Sequence, residues 1–190
     1  MTKKETRTFD ITGLQTREAT ETEPVRISGY AAIFNSRTAI CDWFHEEIAQ
    51  GAFARTISEN NDIRALFNHN WDNVLGRTKN GTLHLEEDER GLRFDVELPN
   101  TGVARDLAES MKRGDINQCS FGFIPIEETW DYSADPAVRT ISEVQLFEIS
   151  VVSIPAYDDT EVALVRSKGV KEAEERIAVL KKINHILEEK

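Results

Sequence analysis

Cysteine is scarce in this chain of 190 residues. Cys41 and Cys119 are its only two, and they form neither a C-x-x-C pair nor a disulfide framework. The expected setting is therefore reducing and cytosolic. Basic residues are also in deficit. Lysine and arginine number 23 against 34 aspartates and glutamates, a formal net charge of −11, so the basic footprint that a nucleic-acid partner requires is missing. No run approaches the roughly 18 apolar residues of a membrane span. The opening residues 1–7 lead into no apolar stretch of the signal-peptide kind. His45 stands beside Glu46 and Glu47, but no second histidine lies at ligand spacing, so neither a metal nor another cofactor is expected.

What is present describes a globular protein: 39% of residues are hydrophobic and 30% charged. The length suits one domain with an appendage. Residues 1–24 are mostly polar, with a short strand candidate at 7–11. Residues 25–166 form the expected main domain, and residues 167–190 a tail. Strand patterns dominate the domain, at 25–34, 63–67, 83–87, 92–98, a run through Ser120 that continues to 132, and 139–155. Gly29 reads as a bulge, and Asn80-Gly81 carries a hairpin signal. Helices are expected at 51–58 and 102–113. The second has an apolar stripe of Val103, Leu107, Ala108 and Met111, with Gly114 as its stop. In the tail, Val170, Ala173, Ile177, Leu180 and Leu187 recur at helical spacing, an amphipathic stripe over about residues 170–189.

Three residues stand out chemically. In the strand through Ser120, alternation puts Cys119, Phe121 and Phe123 on one face and Ser120, Gly122 and Ile124 on the other. The aromatic face reads as core, where the Cys119 thiol would be inert. Ser120 is then either a solvent-facing strand serine or a nucleophile beside a glycine that leaves room. His69 follows the apolar run 63–67 between Asn68 and Asn70, placed to bond locally or to act as an oriented base. Glu148 lies in a segment apolar on both faces, where an unpaired carboxylate costs several kcal/mol. It requires a partner, in a structural ion pair or as the orienter of a histidine. Serine, histidine and carboxylate make a nucleophile–base–orienter set. Their order in the chain matches none of the chymotrypsin, subtilisin or α/β-hydrolase orders, and no G-x-S-x-G elbow is present.

A set of short pieces then points to a family. They are Gly29-Tyr-Ala-Ala-Ile-Phe34, Glu47 with Gly51-Ala-Phe53, Phe67-Asn-His-Asn70, and Val74-Leu-Gly-Arg-Thr78. Gly81-Thr-Leu83, Gly91-Leu-Arg-Phe94, Arg113-Gly-Asp-Ile116, Ser120-Phe-Gly-Phe123 and Glu148-Ile-Ser-Val-Val-Ser-Ile-Pro-Ala-Tyr157 complete them. In kind and order they resemble the prohead proteases of tailed bacteriophages, which are similar in fold to herpesvirus assembly proteases. The resemblance covers about residues 25–166. It implies a mainly β fold with helices, a closed β-barrel of about seven strands ringed by short helices, with the amphipathic tail appended. It implies a serine endopeptidase with Ser120 as nucleophile, His69 as base and Glu148 as an acidic third member. Backbone N–H groups near Ala156 or Tyr157 would hold the oxyanion, and Phe121 and Gly122 would meet an extended substrate strand. The implied substrates are the scaffolding segment of the major capsid protein or a separate scaffold protein, and the protease itself. The implied place is the procapsid in the host cytoplasm, with a homodimer as the expected assembly. A non-catalytic capsid- or scaffold-binding protein on the same barrel is the alternative. The tail would pair with another copy or dock on a scaffold helix.

Overall fold

The computed structural model of the chain describes residues 4–17, 24–59 and 62–153. It begins with β1 (Glu5–Asp10), β2 (Thr12–Arg17), β3 (Arg26–Ile33), β4 (Thr38–Cys41) and β5 (Phe44–Ile48). A short helix α1 (Ala54–Ser58) leads to β6 (Arg64–Phe67) and β7 (Asn70–Arg77). The hairpin strands β8 (Leu83–Glu87) and β9 (Gly91–Glu97) and the helix α2 (Gly102–Arg113) follow. Two long strands, β10 (Gln118–Asp131) and β11 (Ala137–Val152), close the described chain. The fold is mainly β with few helices, as expected.

The single closed barrel of about seven strands is not what the strands form. They pair as a seven-stranded sheet, β1-β10-β11-β5-β4 with β6 and β7 joined through β11, and a four-stranded sheet, β2-β3-β9-β8. The division has a local cause. Between β1 and β2 stands one residue, Ile11, and Gly13 just beyond it is left-handed at φ +65°, so the chain turns from one sheet into the other instead of continuing a ladder. The Asn80-Gly81 signal marks a second such passage. It sits in a single helical turn with Gly81 at φ +77°, and the strands on either side, β7 and β8, belong to different sheets. Gly29 likewise serves close approach more than a bulge. A Cβ there would lie 2.4 Å from Ile11 Cγ2, and the register shift falls between Tyr30 and Ala32.

The sheets share one core, in which Ile27, Leu92 and Phe94 of the smaller sheet meet Phe121, Phe123 and Ile149 of the larger. Helix α2 adds Ala104, Leu107 and Met111, while Val103 of the expected stripe stays 41% exposed. Thr101 caps its first turn by accepting from the Ala104 N–H at 3.3 Å. No helix among the described residues is long and apolar enough to cross a membrane.

β11 is the central strand. It is antiparallel to β10 along one edge and parallel to β5 and then β6 along the other. Between those two partners α1 takes over its backbone groups. The Thr56 hydroxyl donates to the Val144 carbonyl at 2.6 Å and accepts from the Leu146 N–H at 3.3 Å.

β1 is held at the free edge of β10 by buried charge. Arg7 donates two hydrogen bonds to Glu46, the second at 2.7 Å, and Arg139 reaches the same carboxylate at 2.9 Å. Arg139 also bonds Glu5 at 2.9 and 3.1 Å and Glu128 at 2.9 Å. Glu46 is thus the counter-charge of two arginines. Burial alone would raise the Glu5 carboxyl, but the hydrogen bond from Arg139 and the two guanidinium charges outweigh it and hold it below its ordinary value.

Removing one member of such a network strands the others, so Glu46→Ala is expected to lower unfolding free energy by about 3–5 kcal/mol in urea melts. A depressed carboxylate stabilises above its unfolded pKa and stops doing so as pH falls through the lower folded value. The Glu5 contribution is therefore complete above its ordinary 4.5 and declines below it until pH has fallen through the lower folded value, which acid titration of Glu5→Gln against the parent chain measures.

Candidate active site

Ser120 and Gly122 lie on the face of β10 turned away from Phe121 and Phe123, and their cross-strand partners on β11 are Ser150 and Glu148. Directly paired antiparallel residues point to the same face. Strict alternation along β11 would have put Glu148 on the same face as Leu146. Instead the register shifts between Gly122 and Phe123: Gly122 pairs with Glu148, Phe123 with Leu146, and Phe147 is left without a partner on β10. This extra residue is a bulge, and it re-aims the strand. Leu146 goes into the core with Phe123, and the Glu148 carboxylate comes out over Gly122.

His69 arrives from the other side of β11. Phe67 pairs with Asn70, so Asn68 and His69 form a two-residue turn between β6 and β7, with φ +54° and +57°. Left-handed backbone at non-glycine residues costs roughly 1–3 kcal/mol each, and β11 supplies the restraint. The Asn68 N–H donates to the Val151 carbonyl at 2.9 Å, and the Asn68 Oδ1 accepts from the Ser153 N–H at 2.9 Å. The His69 N–H donates to Ser150 Oγ at 3.2 Å.

Glu148 ties these pieces together. Its Oε1 lies 2.8 Å from His69 Nδ1, and its Oε2 accepts from the Ser150 hydroxyl at 2.6 Å. The carboxylate is buried at 1% exposure, while the imidazole is 32% exposed. A carboxylate on Nδ1 fixes that nitrogen as the protonated one and leaves Nε2 free to accept a proton. Ser120 is wholly buried, and its Oγ forms no hydrogen bond among the described residues, so the serine–histidine contact is not made in this structure.

Gly122 was expected to leave space for a substrate strand. That space is filled. A Cβ there would lie 2.4 Å from Glu148 Oε1 and 2.9 Å from Lys4 Cε, so the absent side chain makes room for the carboxylate itself. Phe121 was expected to meet substrate as well. Its ring is in the core, 5.4 Å from Phe53 edge-on and 5.9 Å from Phe9 in a stack. β10 is moreover paired on both edges there, so no strand can add to it. Cys119 faces that core, where burial foremost and the nearby Glu148 charge push its thiol far above the ordinary value. Ala156 and Tyr157, the expected oxyanion donors, lie outside the described residues, as does the tail 167–190.

Ser150 is the residue that reading the sequence missed. Its signal is a hydroxyl two positions beyond a buried acid, on the same strand face, but a serine in a strand invites no such attention by itself.

The family described as caudovirus prohead serine protease matches residues 12–176. The prohead protease of Escherichia phage T5 is 28% identical over 102 residues, 54% of this chain, and the match spans 45% of that relative, less than half its length. The structure of the bacteriophage T4 capsid assembly protease is similar at a TM-score of 0.58 and 9% identity, over 78% of this chain and 96% of that one, which is a likeness of fold.

Two substitutions test the carboxylate's surroundings. Gly122→Ala drives a methyl into Glu148 Oε1 and is expected to break its bond to His69. Ser150→Ala removes a hydrogen bond to a charged group, a loss of about 1.5–3 kcal/mol. Both are expected to lower the melting temperature and to shift the His69 ring nitrogen resonances in NMR spectra. Unchanged ring resonances in both would show that the carboxylate does not hold the imidazole.

Proposed function

Because the chain belongs to the caudovirus prohead serine protease family, we propose that it is a serine endopeptidase of phage capsid maturation in which Ser120, His69 and Glu148 carry the chemistry. The observation that bears most weight is the His69–Glu148 hydrogen bond on the strand face that also presents Ser120. With Nδ1 protonated toward Glu148, His69 Nε2 takes the Ser120 proton as Oγ bonds to a peptide carbonyl carbon, and the carbonyl π pair moves to oxygen. The tetrahedral intermediate collapses, the imidazolium gives its proton to the departing amine, and an acyl-enzyme remains. Water, deprotonated by the same imidazole, then bonds to the acyl carbon, the C–Oγ bond breaks to release the acid, and the imidazolium returns its proton to Ser120 Oγ. Glu148 stabilises the imidazolium through each transfer.

Backbone N–H groups of Ala156 or Tyr157 are the proposed oxyanion donors; Pro155 has no N–H to offer. The proposed substrates are the scaffolding segment of the major capsid protein or a scaffold protein, and the protease itself, cleaved inside the procapsid. Residues 25–166 would form the protease domain, and residues 167–190 would pair two copies or dock on a scaffold helix.

One observation favours a second reading, a capsid- or scaffold-binding protein without catalysis: Ser120 Oγ is shielded from solvent and unbonded to His69. Such hydrogen bonds are often unformed in free enzymes and tighten with substrate. Co-expression with the cognate capsid protein, followed by mass spectrometry of that protein's N-terminus, separates the two. The protease reading expects a shortened capsid protein with the parent chain, none with Ser120→Ala, and shortening retained with Cys119→Ala. An uncut capsid protein in all three would leave the binding role.

A further inference from the structure

The N-terminal strand carries a threonine into the site. β1 pairs with β10 along the edge opposite β11, and Thr8 stands directly across from Ser120. Its neighbours Arg7 and Phe9 lie on the core side, Arg7 over the Phe123 ring at 5.5 Å and Phe9 stacked on Phe121. Thr8 therefore shares the face of Ser120, Ser150 and Glu148, with its Cβ about 4.5–5.5 Å from that of Ser120. Lys4, farther along the same chain, reaches over Gly122. Ser120 is thus flanked by Ser150, on which the histidine turn rests, and by Thr8 on the other side.

Thr8 Oγ1 is shielded from solvent and has no hydrogen-bond partner among the described residues, as is true of Ser120 Oγ. A buried hydroxyl left unpaired costs about 1–3 kcal/mol. Valine, of the same shape and equal liking for strands, would fill the position without that cost. Of the three such hydroxyls among the described residues, those of Thr8, Thr12 and Ser120, only Thr8 and Ser120 stand directly across from each other on paired strands.

We propose that Thr8 is a catalytic residue, its hydroxyl donating to the oxyanion that forms when Ser120 attacks. The inference rests on Ser120 being the nucleophile. His69 comes from the β11 side of Ser120, and Thr8 on the β1 side offers a hydroxyl that adds to the backbone N–H groups proposed above as oxyanion donors. There Thr8 Oγ–H donates to the oxygen as it takes up the carbonyl π pair, and it withdraws when the intermediate collapses. The hydroxyl is placed in advance by a strand that buried ion pairs fix.

The test uses the full chain and a fluorophosphonate probe, whose phosphoryl oxygen gains charge as the carbonyl oxygen does. The second-order rate of labelling at Ser120, located by peptide mapping, is the readout. Thr8→Val is expected to slow it by about 10²-fold, the effect of losing one oxyanion donor, while Thr8→Ser stays within about threefold of the parent chain. The pH profile keeps its shape, because the base is untouched. If Thr8→Val melts early, Thr8→Ser against Thr8→Ala decides: serine must retain what alanine loses. Parent-like labelling of Thr8→Val, or an equal loss in Thr8→Ser, overturns the assignment of Thr8 alone. A parent chain that takes up no probe at Ser120 overturns the nucleophile itself, and with it this role.

Discussion

One buried carboxylate sets the terms for this half of the molecule. Glu148 is almost without solvent contact, and an ionised group so placed persists only when its oxygens are hydrogen-bonded. His69 and Ser150 bond one oxygen each. Every unusual local feature nearby serves that arrangement. The bulge at Phe147 turns the carboxylate out of the core, and Gly122 gives it room. The left-handed turn at Asn68 and His69, pinned to the end of β11, brings the imidazole to it. The strain and the bulge are hard to account for by packing, since a regular strand with an apolar residue at 148 would fill the sheet at lower cost.

The arginines work at the opposite face of the same strands. Arg7 and Arg139 meet Glu46, Glu5 and Glu128, so β1, β5, β10 and β11 are tied where the sheet would otherwise end in a free edge. This protects the edge from unwanted pairing and fixes β1 beside Ser120. β10 then has a partner strand on each side of Ser120, so no further strand can add to it there.

Much of this was legible in the sequence. The alternation around Ser120, the pairing of β8 with β9, the helix at residues 102–113 with its Gly114 stop and the central place of β11 follow from local pattern. So did the demand that Glu148 find a partner. What was not legible depends on register. A bulge reverses the facing of every residue beyond it, and no residue type at 145–148 announces one. Gly122 looked like room for a ligand because a missing side chain does not say who takes its place. The two-sheet division escaped because residues 1–24 read as one mostly polar segment with a single short strand at 7–11, where the chain in fact forms β1 and β2 in different sheets on either side of Ile11. The ion-pair network joins residues more than 90 positions apart, and charge alone does not declare such partners.

The claim at the centre is that Glu148 orients His69 to activate Ser120, and Glu148→Gln probes it most directly because the amide keeps the shape and loses the charge. Single-turnover fluorophosphonate labelling of Ser120 should be measured beside thermal melts of the same samples. The account predicts a folded variant whose labelling per folded molecule falls by orders of magnitude, the consequence of a misoriented imidazole. Loss of stability with parent-like labelling of the folded fraction would contradict it and make Glu148 a structural partner of His69 and Ser150.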